Sequence, residues 1–165
     1  MGEGLGRDSL GKLIRGACLG AAFLALSLNL PSCKGADERS AAPSPEAGVA
    51  VRAVEAAVEG RHLEFLELVD PDFLETVSRE TGMARGPELG RALSIRFADK
   101  YLPPGVLELR RIEADFVADG AKGTAFLWGE MVLEGGNVLE LSREEALRIP
   151  VLKRGEGWFV DMLRG

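Results

Sequence analysis

The sequence predicts an α+β fold, with N-terminal helices packed on a curved antiparallel sheet of about four strands. Apolar residues recur every three or four positions ahead of Pro103-Pro104-Gly105 and every second position after it, and that break divides the two halves. Helices first and strands afterwards is the segregated order of α+β architecture; βαβ units would interleave them.

The first helix starts at Ser44-Pro45-Glu46, where serine caps, proline takes the first turn and the acid sits near the positive end of the helix. Val51, Val54 and Val58 continue it to Gly60. A shorter segment from His62 to Val69 places Leu63 and Leu66 on one side. Asp70-Pro71-Asp72 then begins a third helix through Phe73, Leu74 and Val77, stopped by Gly82. Leu89, Leu93 and Phe97 mark a fourth, ended by the two prolines.

From Val106 the period is two, with Leu107 and Leu109 on one parity and Ile112, Ala114 and Phe116 on the other. The phase slip at Arg110-Arg111 predicts a β-bulge, which bends a sheet. Asp119-Gly120 is a turn, Thr124 to Leu133 the next strand, and Glu134-Gly135-Gly136-Asn137 another turn. Leu147 to Lys153 and Trp158 to Leu163 flank Arg154-Gly155-Glu156-Gly157 as a closing hairpin. Residues 134–146 read equally as a short extra hairpin or a projecting loop.

Ahead of this domain stand Arg7, Lys12 and Arg15, then the uncharged run ACLGAAFLALSLNL at 17–30, the order of a signal peptide. Its 14 residues make a helix of roughly 21 Å, short of a roughly 30 Å hydrocarbon core. Pro31 ends the run and Ser32 supplies a small residue before Cys33. Leu30-Pro31-Ser32-Cys33 resembles the lipobox of bacterial lipoproteins, which implies cleavage before Cys33 and acylation of its sulfur. An ordinary secretory signal cleaved elsewhere and an uncleaved anchor are the competing readings. The expected division is a signal peptide at 1–32, a lipidated N-terminus and flexible linker at 33–45, and one domain at 46–165. The linker holds two prolines and no large apolar side chain, so it cannot offset its chain entropy by burial. Lys34, in place of an aspartate, implies an outer-membrane protein facing the periplasm where that sorting rule applies.

The chain carries a net charge of −6, and −7 once residues 1–32 are removed. Such a surface repels phosphate backbones, so no nucleic-acid partner is expected. Attachment to a membrane would come from acyl chains, each buried methylene contributing about 0.8 kcal/mol. With Cys18 lost and Cys33 acylated, no thiol remains for a disulfide, a thiolate metal site or a nucleophile. A single histidine, His62, argues against a zinc site, and no calcium loop is present, so neither metal nor cofactor is expected.

The helix end Ala56-Ala57-Val58-Glu59-Gly60, the short helices after it and the closing Gly157-Trp158-Phe159-Val160-Asp161-Met162 resemble the nuclear transport factor 2-like, cystatin-like superfamily. That resemblance implies a cone, its sheet curled around helices with a cavity at the open end, used by some members for catalysis and by others for binding. Phe97, Tyr101, Phe126, Trp128 and Trp158 are the candidate pocket-lining residues, although large aromatics serve more often as core.

No catalytic residue is assigned. Isomerases of that superfamily need a carboxylate base and a tyrosine hydroxyl in one apolar pocket, and the single tyrosine, Tyr101, stands near Asp99. Their helix-end position favours a surface role for Asp99 and a packing role for Tyr101. Glu64, Glu67, Asp70, Asp72 and Glu75 read as a solvated helical face. The expectation is a non-catalytic module, anchored to a membrane, that binds a small apolar ligand or an envelope protein. The alternatives are an isomerase, dehydratase or cyclase using His62, Asp99 or Asp115, and an assembly part that forms a homodimer.

Overall fold

The structure, a computed structural model, describes residues 42–163. The signal segment, Cys33 and most of the linker lie outside the described residues. The first helix, α1 (Pro45–Val58), begins as its capping sequence dictates: Ser44 Oγ accepts from the Ala47 N–H at 3.3 Å and Pro45 takes the first turn. Its alanines at 47, 50, 53 and 56 are fully buried. Small side chains there let neighbouring elements approach the helix closely, and α1 packs against α2 (His62–Leu68), α4 (Pro87–Tyr101) and four of the strands.

Asp70 caps α3 (Pro71–Thr81) through the Asp72 N–H, and Gly82 ends that helix in the left-handed region at φ 70°. Helix α4 stops at Tyr101 because Leu102, preceding Pro103, is driven into an extended conformation at φ −106°, ψ 149°. Phe65 of α2 and Phe97 of α4 are both fully buried, their ring centroids 5.2 Å apart. Together with Leu89 and Leu93 they join the helical layer to the core.

The sheet is antiparallel and built around β2 (Lys122–Leu133). Along one edge β2 pairs with β1 (Val106–Asp119). Along the other, its second half pairs with β3 (Val138–Leu141) and its first half with β4 (Leu147–Arg154), which carries β5 (Gly157–Val160). Segment 134–146 is therefore a short hairpin strand between two 3₁₀ turns, giving five strands where about four were expected. The last strand ends at Val160, three residues short of the expected Leu163.

The expected bulge is present. The β1–β2 register shifts between Arg110 and Glu113, with Arg111 at φ 51° and, across from it, Gly129 of β2 at φ 131°. This distortion separates the Leu109–Met131 pair from the Ala114–Leu127 pair while keeping Met131 and Leu127 buried. Ala125, Leu127, Met131, Ile149, Val151 and Val160 form the buried face of the sheet.

One acidic position departs from expectation. Asp70 is 1% exposed rather than part of a solvated face. Arg154, the last residue of β4, binds it with two parallel bonds of 3.1 Å and reaches Asp72 at 3.0 Å. Val69 bridges Val160 in parallel, and the Asp70 N–H donates to the Val160 carbonyl at 3.2 Å. Charge-assisted bidentate geometry thus ties the last hairpin to the start of α3. The sequence separation of 84 residues hides this pairing from any local pattern.

Candidate functional site: a cleft at the C-terminal ends of α1 and α4

Helices α1 and α4 end beside one another, and the chain leaving α4 turns through residues 103–106 into β1. Between them lies a cleft of about 410 Å³, a volume within the range of small-molecule sites. Ala57 and Val58 of α1 form one wall, Ala98, Asp99 and Leu102 of α4 a second, and residues 103–106 the third. Each wall is held by backbone geometry. The Arg61 N–H donates to the Ala56 carbonyl at 2.8 Å, and the Leu102 N–H to the Ala98 carbonyl at 2.9 Å. The Glu134 N–H fastens the third wall by donating to the Gly105 carbonyl at 2.7 Å.

Asp99 is the one ionisable residue of this lining. It is exposed, and its carboxylate makes no hydrogen bond or ion pair among the described residues. The nearby cations are engaged elsewhere. Lys100 stands over the Tyr101 ring at 5.1 Å, and Arg61 pairs with Glu59 at 2.8 Å and with Glu64.

The candidate aromatic residues are divided between the two faces of the sheet. Phe97 is fully buried and packs on Tyr101 at 5.1 Å, with Phe65 on its other side. Trp158 lies edge-on to Phe116 at 5.2 Å, both packed against the core. Phe126 and Trp128 have the opposite strand parity to buried Ala125 and Leu127, so they face away from the helices. There the Arg148 guanidinium covers Phe126 at 6.0 Å and Arg143 covers Trp128 at 5.4 Å. These five residues do not converge, and the cleft takes its lining from other positions.

The remaining candidates are placed as follows. The His62 imidazole is partly buried, with Nδ1 2.9 Å from the Ser94 hydroxyl, which donates to the Arg91 carbonyl at 3.1 Å. Helices α2 and α4 cross tightly there, since a β-carbon on Gly90 would fall 2.5 Å from the His62 carbonyl oxygen. Asp115 is exposed and ion-paired with Arg143. The Phe116 N–H, and after it Arg143, hold its carboxyl below the usual range. Burial, followed by the negative charge of Asp161, raises the Tyr101 hydroxyl above the ordinary tyrosine value.

Among the described residues no group of three or more His, Cys, Asp or Glu is arranged to hold a metal, and no helix is long and apolar enough to cross a membrane. The fold and the cleft define an α+β domain whose helical layer packs against a curled antiparallel sheet and leaves a recess at one end. No family model, curated protein or solved structure matches the chain.

Proposed function

We propose that this chain is a lipid-anchored protein of the bacterial envelope, tethered through Cys33. Its domain, of the nuclear transport factor 2-like kind, binds a small apolar ligand without transforming it. The observation carrying this reading is the cleft between α1, α4 and the 103–106 turn, whose side chains are apolar apart from Asp99, with polar atoms making up close to half of the exposed lining. The apolar side chains of these walls release ordered water when an apolar molecule covers them, the driving force common to small-ligand sites. The tether supplies reach: the 12 residues between Cys33 and Glu46 extend roughly 40 Å, enough to hold the cleft clear of a membrane surface.

A second reading, an isomerase, dehydratase or cyclase, has the Asp99 carboxylate in its favour. As a general base Asp99 would need a polar partner across the ligand to stabilise the charge that develops there. The facing side chains are Ala57, Val58, the two prolines and Val106, so the arrangement favours binding.

The test is titration of the full chain, held in detergent, with indole, an uncharged aromatic small enough for the cleft. Saturable binding is expected. Ala98→Trp and, from the opposite wall, Val58→Trp should each weaken it at least about tenfold by filling the recess, a loss of roughly 1.4 kcal/mol. Unchanged affinity in both variants, with both still folded by circular dichroism, would place the ligand elsewhere and end the proposal.

A further inference from the structure

We propose that the cleft selects an apolar molecule carrying one positive charge, a small protonated amine, with Asp99 as its counter-ion. This inference rests on the cleft being the ligand site and adds the sign of the ligand's charge.

Three independent features of the cleft favour positive charge. Asp99 contributes a carboxylate that is unpaired among the described residues, on a wall otherwise made of Ala98 and Leu102. Two helices, α1 and α4, present their C-terminal turns to the same volume, and each such end carries a partial negative charge from carbonyls lacking helical partners. The last turn of α1 contains no basic residue to offset this field, and the basic residue in the last turn of α4, Lys100, lies over the Tyr101 ring. Arg61, just beyond α1, is held by Glu55, Glu59 and Glu64. An anionic ligand would meet a carboxylate and two negative helix ends, with no lysine or arginine in the lining among the described residues. A neutral one would leave the carboxylate without a partner beside apolar surface.

An ammonium group on an apolar body satisfies both parts of the cleft. Its charge sits at Asp99 near the opening, and its body lies between Val58 and Leu102. Because Asp99 is exposed, the charge preference is modest and sensitive to salt.

The experiment compares benzylamine with benzyl alcohol, near-isosteres differing in charge, on the full chain in detergent at low ionic strength and neutral pH. Benzylamine is expected to bind about threefold to fivefold more tightly, the effect of an exposed ion pair. Asp99→Asn should abolish that difference, and added salt should erode it in the parent protein. If both probes bind equally and both are lost in Ala98→Trp, the charge preference is refuted and the cleft remains the ligand site. If neither probe binds, the reading of the cleft as a ligand site falls and this inference falls with it.

Discussion

Phe97→Ala is expected to remove about 3–5 kcal/mol of stability, the range for deleting a fully enclosed aromatic ring. Phe97 is 0% exposed and contacts aromatic rings on two sides, Phe65 at 5.2 Å and Tyr101 at 5.1 Å. Truncation forfeits the transfer energy of the ring and leaves a hole that helix-borne neighbours can close only partly. Domains of this size are stable by about 5–15 kcal/mol, so the variant should retain roughly half of its margin. Urea unfolding should show a lower midpoint with an unchanged slope. A loss below about 1 kcal/mol, the level of an ordinary substitution, would contradict a central position for this ring. The consequence reaches the cleft, because Tyr101 and Leu102 sit on the turn that Phe97 anchors.

Gly129→Val should cost on the order of 3 kcal/mol, from backbone strain and overpacking together. At φ 131° Gly129 occupies a conformation that side-chain-bearing residues rarely adopt, and a β-carbon there would fall 2.4 Å from the Arg111 carbonyl oxygen. That oxygen belongs to the bulge itself, where Arg111 stands at φ 51°. The strand cannot yield without shifting the β1–β2 register that keeps Leu127 and Met131 buried on one face. A variant of native stability would contradict this close approach of Gly129 to the Arg111 carbonyl. Gly48, in the first turn of α1 with nothing within 4 Å of its would-be β-carbon, is the control. Gly48→Ala should stabilise by up to about 1 kcal/mol through helix propensity.

The helices were legible in the sequence because their ends carry local chemistry: Ser44-Pro45, Asp70-Pro71, Gly82 and the paired prolines act within a few residues of themselves. The bulge was legible for the same reason, since a phase slip in a period of two is a local event. Segment 134–146 was ambiguous because β3 is four residues long and gains its stability from β2, information that lies outside its own sequence. The burial of Asp70 was invisible because its partner, Arg154, is distant in the chain.

The cleft was hidden by the same separation. Ala57, Val58 and Ala98 are unremarkable residues at helix ends, and only the approach of α1 to α4 turns them into walls. The candidate aromatic residues do not line this cleft, for a related reason. Size and hydrophobicity mark a residue for contact with apolar surroundings, whether core or ligand. Strand parity turns Phe126 and Trp128 away from the helical layer that holds Phe97 and Tyr101, and it can be assigned only once the buried face is known.

The proposal that this domain works at a membrane surface rests on a thioether-linked lipid at Cys33. Expression in a bacterial host, followed by detergent phase separation and intact-mass measurement, tests it directly. The parent protein should enter the detergent phase with a mass equal to residues 33–165 plus acyl chains, and Cys33→Ser should remain in the aqueous phase without them. Equal partitioning of the two proteins, or a parent mass with no lipid attached, would contradict the account.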